Sequence, residues 1–346
     1  MIPAPGIPAP EIPERDLLAI DAALAPHWHR LDGARLFVTG GTGFIGRWMM
    51  AALARAPIDV RATVLTRNPA AYAARAPDLA ARFPGVAGDI LAFDPPRGAF
   101  THVIHGATDA SAALTAGDPR RMFDTIVSGT RAALDLARAH DARFLLMSSG
   151  AVYGVQPFDM PHVCEEWMGG PDPRDPRSAY AEGKRAAEAL ANIYHHQFGL
   201  DTVTARIFAL LGPGLSLDTH FAAGNFIRDA LAGRMVTVNG AGEAVRSYLY
   251  AADLTVWMWQ LVLSAASGST YNVGSEESVS IAALARRTAE LLGAPGAEIR
   301  GAPDAGWNPG RYVPDTAAIR RDLGVAATIT LDEAIRRTAA ANGWTT

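Results

Sequence analysis

Two side chains four residues apart could transfer a proton as a pair. Tyr180 and Lys184 form a Y-x-x-x-K pattern near the start of a predicted helix over Ser178–Phe198, and helical spacing puts both on one face. A phenol with an ordinary pKa of ~10 is a poor acid or base at neutral pH, but a neighbouring positive charge would stabilise the phenolate and lower that pKa. We therefore predict Tyr180 as an acid–base group and Lys184 as its supporting cation.

A serine is predicted to lie beside this pair. Ser149 ends an apolar run, Arg143–Ser149, that is typical of a buried strand. Sites in parallel sheets form at the carboxyl ends of strands, so the Ser149 hydroxyl could hydrogen-bond a reacting carbonyl or hydroxyl oxygen next to Tyr180. Because Y-x-x-x-K alone is common on helices, the prediction of a catalytic Ser149, Tyr180 and Lys184 depends on their order behind a glycine-rich loop.

That glycine-rich loop reads G-x-x-G-x-x-G and lies between a predicted strand, Ala34–Thr39, and a predicted helix, Phe44–Ala56. Glycine permits a tight turn and lets backbone N–H groups approach a pyrophosphate, and the helix N-terminus adds partial positive charge. The alternative is a plain connecting turn, but the strand–turn–helix context favours dinucleotide binding. The predicted cofactor contacts in the loop are Gly40, Thr42, Gly43, Phe44, Ile45 and Gly46.

The end of the second predicted strand, Val60–Thr66, bears on the choice between NAD and NADP. NAD sites usually place a carboxylate there for the ribose 2′-hydroxyl, whereas this chain continues with Arg67 and Asn68. Arg67 could pair with a 2′-phosphate or stack on adenine, although a solvated surface arginine is the alternative. The sequence therefore predicts NAD or NADP, with the 2′-phosphate favoured modestly by Arg67.

Strands and helices alternate along the first part of the chain, which predicts a doubly wound parallel sheet of the Rossmann type. Shorter, mixed elements follow and predict a smaller mixed α/β lobe for the substrate. We expect an N-terminal arm and short helix at 1–30, a dinucleotide-binding domain at 31–210 plus about 244–275, and a substrate lobe at 211–243 and 276–346. The other strands and helices of the α/β part are predicted at Thr101–His105, Met122–His140 and Thr202–Phe208.

Composition excludes several other classes of protein. The 346 residues are 49% apolar and carry a net charge of −4, so there is no basic excess for nucleic acid. A single cysteine, Cys164, excludes an internal disulfide or a cysteine-rich zinc site, and no metal site is predicted. The apolar run Leu254–Leu263 is shorter than the ~20 residues of a membrane span. We expect a soluble, cytoplasmic protein that binds neither nucleic acid nor membrane.

Several motifs occur together from residue 36 to about 320. They are VTGGTGFIG (38–46), GDI (88–90), SSGAVYG (148–154), YAEGK (180–184), RIFALLGP (206–213), RSYLYAADL (246–254) and YNVG (271–274). With them the chain resembles an extended short-chain dehydrogenase/reductase of the nucleotide-sugar epimerase/dehydratase family. The resemblance implies that Ser149, Tyr180 and Lys184 are catalytic and that Tyr180 and Lys184 also contact the cofactor, with Lys184 holding its ribose. Further cofactor contacts implied by the family are Asp89, Ile90 and Ala107.

The resemblance also implies a nucleotide-diphosphate sugar as substrate. Asn225 matches an asparagine that binds the diphosphate, and Arg246 and Arg311 match two arginines that grip it. Guanidinium groups suit phosphate oxygens well, although for either arginine alone a surface salt bridge is the alternative. A homodimer is expected, formed by the helix that bears Tyr180 and the helix near residues 122–140.

Departures from the family narrow the reaction. Dehydratases of the family carry an Asp-Glu pair after the catalytic residue, and UDP-glucuronate decarboxylases keep the glutamate, whereas this chain has Gly150-Ala151, which cannot transfer protons. The main prediction is therefore hydride transfer at C4 by a 4-epimerase or 4-ketoreductase. Alternatives are a dehydratase or decarboxylase with a displaced acid or base such as Glu165 or Glu166, a reductase of another carbonyl compound, or a non-catalytic NADP-binding regulator. Two family asparagines are replaced, by Ala209 and Ile126.

Overall fold

A computed structural model describes residues 11–94, 97–108, 117–218, 221–303 and 308–345. The strands are β1 (Arg35–Thr39), β2 (Arg61–Thr66), β3 (Gly85–Ala87), β4 (His102–His105), β5 (Arg143–Ser149), β6 (Thr202–Ile207), β7 (Leu210–Leu211), β8 (Val236–Val238), β9 (Val245–Arg246), β10 (Leu249–Tyr250), β11 (Ser269–Val273), β12 (Val279–Ser280), β13 (Ala297–Ile299) and β14 (Arg311–Tyr312). The helices are α1 (Glu14–Leu24), α2 (Phe44–Arg55), α3 (Pro69–Arg75), α4 (Pro77–Arg82), α5 (Pro119–Ala139), α6 (Ala179–Phe198), α7 (Ala222–Leu231), α8 (Ala251–Ser264), α9 (Ile281–Leu292), α10 (Ala317–Leu323) and α11 (Leu331–Ala340).

A seven-stranded parallel sheet forms the centre of the described fold. Its strand order is β11-β6-β5-β4-β1-β2-β3, and every neighbouring pair is parallel. The chain leaves β1 in one direction and returns at β4 to build in the other, so the two strands flank a crevice at their carboxyl ends, where doubly wound sheets bind ligands. The predicted doubly wound α/β fold is confirmed.

The apolar character of the strands explains why both faces of the sheet are covered. In β5 every residue after Arg143 is buried, as parallel strands between two helical layers require. One face packs on α5 and α6 through Phe144 and Ala187, and the other packs on α2 and α8 through Leu145 and Trp259. The strands therefore hold their carboxyl ends, and the residues that follow them, at fixed positions.

The second half of the chain adds three small sheets to the described fold. Strands β12, β9 and β14 form one of them, and the pairs β13-β8 and β10-β7 form two more. The largest buried cluster includes Trp48 and Val203 together with Phe226 and Leu284 from this half. The small sheets are therefore fixed to the central sheet by a shared apolar core.

The N-terminal helix is part of that core. In α1 the carboxylate of Asp16 is fully buried, accepting hydrogen bonds from the Tyr250 hydroxyl at 2.6 Å and the Arg337 guanidinium at 2.5 Å. The proline-rich start of the predicted arm, residues 1–10, lies outside the described residues. Among the residues that are described, no helix has the length and apolar character to cross a membrane, and the predicted apolar run is a buried part of α8.

Candidate active site

The glycine-rich loop folds into a cradle at the carboxyl end of β1. Gly40 has φ +78°, and a side chain there would place its Cβ 2.6 Å from the backbone of Gly106. A Cβ at Gly46 would overlap the Gly40 carbonyl oxygen. Helix α2 starts after Gly43 with no side-chain cap, so its first N–H groups face the cleft without a side-chain acceptor. The backbone therefore fits a pyrophosphate at this helix start.

Four more residues predicted to contact the cofactor lie in this cradle or directly next to it. Thr42, Phe44 and Ile45 are half-buried in the loop and the first turn of α2. Ala107 follows β4 beside Gly40, and its N–H donates to the Thr39 hydroxyl at 3.2 Å.

Asp89, Ile90 and Arg67 lie beyond β3 and β2. Ile90 is buried against Gly129 of α5, whereas Asp89 is exposed and accepts a hydrogen bond from the Leu91 N–H at 3.0 Å. Arg67 is exposed just past β2 and forms no ion pair with any residue that the structure describes. Its guanidinium is therefore available to an anionic ligand.

Lys184 lies in the interior, at the base of the cleft. It is only 4% exposed, and its ammonium donates to the Met147 carbonyl at 2.8 Å and to the Thr108 hydroxyl at 3.0 Å. Burial lowers the pKa of Lys184 to about 8, against an opposing effect of Glu188 one turn further along α6. An ammonium has three N–H donors, so one remains beyond these two bonds.

Tyr180, at the start of α6, lies near the strand-end Ser149. Burial raises the pKa of Tyr180, and the neighbouring Ser149 hydroxyl partly offsets that rise. The net change in the pKa of Tyr180 is thus a rise rather than the predicted lowering. The Lys184 ammonium is directed at a carbonyl and a threonine and lies 5.9 Å from the centre of the phenol ring.

A second tyrosine was missed by the sequence analysis. The Tyr312 hydroxyl lies 3.4 Å from the Ser149 hydroxyl, and its ring packs 4.5 Å from that of Phe208. Burial raises the pKa of Tyr312. Tyr312 lies on β14, which has only two residues and therefore no hydrophobic periodicity from which its burial could be predicted. The adjacent Arg311, predicted as a diphosphate ligand, was the sequence feature that pointed to this segment.

The position of the family's acid pair is closed to a side chain. A Cβ on Gly150 would lie 2.6 Å from the Phe208 ring, so this residue has no room for a carboxylate. The predicted substitute Glu165 accepts a hydrogen bond from the Asn272 N–H at 2.7 Å, and burial raises the pKa of Glu165. Glu166 is exposed. Among the described residues, neither glutamate forms a hydrogen bond with Ser149.

A buried ion pair fixes the serine strand to the tyrosine helix. The Glu188 carboxylate accepts from the Arg206 guanidinium at 2.8 Å and from the Ser148 hydroxyl at 2.5 Å. Ile126, which replaces a family asparagine, packs against Gly183 of α6. Apolar contact between the two helices therefore takes the place of a polar relay behind Lys184.

The three predicted diphosphate ligands are positioned differently. Pairing of β9 with β14 sets Arg246 opposite Tyr312, so that Arg246 and Arg311 lie on neighbouring strands. Burial lowers the pKa of Arg246, whose guanidinium donates to the Val245 carbonyl at 2.8 Å. The Nε of Arg311 is buried and finds no acceptor within the described part of the chain. Asn225 lies on α7 and accepts from Arg228 at 3.2 Å, and no contact joins it to either arginine.

Comparisons with known proteins agree with this geometry. The profile of the NAD dependent epimerase/dehydratase family matches residues 36–274. A UDP-glucuronic acid decarboxylase of Xenopus tropicalis is 32% identical over 312 residues, covering 89% of this chain and 72% of that protein. One of Arabidopsis thaliana is 31% identical over 305 residues, covering 87% and 86%. The UDP-glucose 4-epimerase of Thermus thermophilus, solved with NAD, is 25% identical with a TM-score of 0.74, covering 90% and 100%.

These matches confirm the predicted class of enzyme. The chain belongs to the NAD dependent epimerase/dehydratase family, and its seven-stranded parallel sheet is that of an extended short-chain dehydrogenase/reductase. The predicted preference for a 4-epimerase over a decarboxylase is not confirmed, because decarboxylases are prominent among its relatives.

Proposed function

We propose that this protein binds NAD or NADP and oxidises the C4 hydroxyl of a UDP-linked sugar. The proposed substrate is UDP-glucuronate, and the proposed overall reaction is its decarboxylation. The observation that supports the C4 step is the placement of Ser149 near Tyr180, with the ammonium of the buried Lys184 5.9 Å from the phenol ring. The choice of UDP-glucuronate is supported by relatives that are 31–32% identical over most of the chain.

The side chains would divide the work at C4 as follows. Tyr180 takes the hydroxyl proton, and the nearby Ser149 holds the same sugar oxygen. Lys184 keeps one N–H donor free for a ribose hydroxyl, and its positive charge stabilises the phenolate. A bound NAD or NADP supplies the hydride acceptor and donor at this position.

Loss of the family's glutamate does not forbid decarboxylation. A ketone at C4 lies β to the C6 carboxylate of a hexuronic acid. The bond between C5 and C6 can therefore break with its electrons passing to the ketone oxygen and carbon dioxide leaving, and no side-chain base has to remove a carbon-bound proton. The resulting enolate takes a proton from water at C5, and return of the hydride to C4 then gives the UDP-pentose. Dehydration does need such a base, and Gly150 lies against Phe208 without room for one.

A 4-epimerase or 4-ketoreductase is the second candidate. The observation that favours it is the Gly150-Ala151 pair, since hydride transfer at one carbon needs no acid beyond Tyr180. For either reaction, Arg246 and Arg311 would hold the diphosphate, Asn225 would contact it from α7, and the parts at 211–243 and 276–346 would form the substrate lobe.

Product analysis tests the proposal. The denatured protein is first examined by mass spectrometry for a released dinucleotide, and the native enzyme is then incubated with UDP-glucuronate, UDP-glucose and UDP-galactose under NMR. Carbon dioxide and a UDP-pentose from UDP-glucuronate are the expected products. A C4 epimer without loss of carbon would establish the second candidate. Full activity of Tyr180→Phe in any such reaction would contradict the catalytic assignment.

We also propose the family's homodimer through α5 and α6. Exposed apolar side chains on these helices support it, with Ile193 49% and Phe198 39% exposed. Analytical ultracentrifugation of the wild-type protein should give a dimer, and Ile193→Arg should give a monomer. A monomeric wild-type protein would end this proposal.

A further inference from the structure

A cavity of about 310 Å³ opens at the amino-terminal ends of the sheet's strands, opposite the cleft at their carboxyl ends. Four arginines line it: Arg35 at the start of β1, Arg61 at the start of β2, Arg82 at the end of α4, and Arg97 before β4. No aspartate or glutamate is among the lining residues. In a chain of net charge −4, this is a local excess of positive charge.

The four arginine side chains have no ion-pair partner among the described residues. None of the four forms an ion pair with another residue in the described ranges, whereas arginines such as Arg206 and Arg337 do. Arg35 and Arg61 are register partners on adjacent parallel strands. An anion in the cavity would therefore meet positive charges that have no ion-pair partner within the described structure.

The backbone also leaves room for this charge. Gly98 has φ +111°, and a Cβ there would overlap the Arg35 guanidinium. The ring of Phe83 lies 5.4 Å from the Arg82 guanidinium. Two of the four side chains are thus positioned by particular neighbours.

Location separates this cavity from the catalytic cleft. Arg35 and Arg61 begin strands whose opposite ends carry the glycine loop and Arg67. Five residues of β1 at ~3.3 Å each put roughly 13 Å or more between Arg35 and the cradle. A ligand here would not overlap the cofactor or the sugar.

We propose that this cavity, which we call the arginine pocket, binds an anion with two or more linked phosphate groups. Guanidinium forks pair with phosphate oxygens, and four of them match the charge of a polyphosphate better than that of one phosphate. The volume lies at the lower end of the ~300–1,000 Å³ of small-ligand sites. This binding site is additional to the proposed catalytic function, and an anion can bind there without turnover of the substrate.

Calorimetry with inorganic triphosphate tests the proposal. The protein is first saturated with its cofactor and UDP so that the cleft is filled. We expect saturable one-to-one binding that weakens as sodium chloride is added, because paired charges are screened by salt. Inorganic phosphate should bind at least tenfold more weakly than triphosphate. Absence of saturable triphosphate binding at millimolar concentration overturns the proposal.

Charge-matched variants locate the site. Arg61→Gln with Arg82→Gln should weaken triphosphate binding at least tenfold, whereas Arg286→Gln with Arg336→Gln, which removes two exposed arginines from α9 and α11, should change it less than twofold. Equal losses in the two variants would mean nonspecific attraction and would overturn the pocket. If the double variant Arg61→Gln with Arg82→Gln does not fold, Arg97→Gln takes its place, and this single change must weaken triphosphate binding at least threefold.

Discussion

The two sides of the catalytic cleft are built by different means. On the proposed cofactor side, the cradle is the backbone of one continuous segment, where Gly40 and Gly46 leave no space for a Cβ. On the substrate side, side chains from distant segments meet, as Tyr312 meets Ser149 at 3.4 Å across 163 residues of sequence. A continuous segment fixes its own geometry, whereas an assembled one depends on the packing of the whole core.

This difference implies that damage to the two sides should be separable. A change in the cradle should affect dinucleotide affinity, and a change near Tyr312 should affect the handling of the sugar. Tyr180 lies where the two sides meet, and it should therefore affect chemistry without affecting either affinity strongly.

The largest effect is expected from Tyr180→Phe. Loss of a general acid–base group lowers turnover by about 10²–10⁴-fold, so kcat should fall in that range while bound cofactor, measured after denaturation, stays near the wild-type amount. Tyr271→Phe is the control, since that hydroxyl bonds Asp322 outside the cleft. A loss of cofactor as large as the loss of kcat would show that the two sides are not separable at this residue.

Burial of Lys184 predicts a pH dependence of stability. Its pKa is about 8 in the folded protein against an ordinary 10.5, so between these values the unfolded chain binds more protons and the free energy of unfolding rises with pH. The gain should be roughly 3 kcal/mol by about pH 10.5. Urea titrations of wild type and Lys184→Met across this range measure it, because the variant should lack the rise.

The same titration has the opposite effect on activity. The ammonium is the form that supports Tyr180, so kcat/KM should fall as pH rises through about 8. A kcat/KM that keeps rising to pH 10 would contradict the supporting role of Lys184.

Gly46→Ala tests the cofactor side alone. Its Cβ would overlap the Gly40 carbonyl oxygen, and forced overpacking costs about 1–3 kcal/mol. Dinucleotide affinity should therefore fall roughly tenfold or more, measured by fluorescence titration. Gly240→Ala, with no atom within 4 Å of the added Cβ, should bind as the wild type does. Unchanged affinity in Gly46→Ala would remove the cradle from the cofactor site.

The same contrast explains what the sequence could predict. The parallel sheet and the glycine turn after β1 follow from periodicity and from local motifs, and the predicted Arg143–Ser149 strand has the bounds observed for β5. Tyr312 and the Phe208 ring against Gly150 could not be predicted, because they depend on how β14 and the end of β6 pack around the serine. The pKa of Tyr180 was also beyond prediction, since the direction of the Lys184 ammonium depends on Met147 and Thr108.

Tyr312→Phe tests the substrate side alone. The variant keeps the ring on Phe208 but removes the hydroxyl beside Ser149, and a hydrogen bond of this kind contributes about 0.5–1.5 kcal/mol. We expect kcat/KM for the sugar nucleotide to fall about three- to tenfold while cofactor affinity is unchanged. A fall in cofactor affinity instead would assign Tyr312 to the other side of the cleft.

Arg67→Ala should give the smallest effect and sharpens the comparison on the cofactor side. Arg67 is exposed and without an ion pair in the described structure, so it is available to a 2′-phosphate, and an exposed charge pair of this kind contributes about 0.2–1 kcal/mol. The Kd of NADPH should rise up to about fivefold, and the Kd of NADH should stay constant, in parallel fluorescence titrations at low salt. Arg286→Ala, which removes an exposed arginine far from β2, is the control for net charge. Equal weakening of both dinucleotides by Arg67→Ala would contradict recognition of the 2′-phosphate and would assign Arg67 to the adenine that the two dinucleotides share.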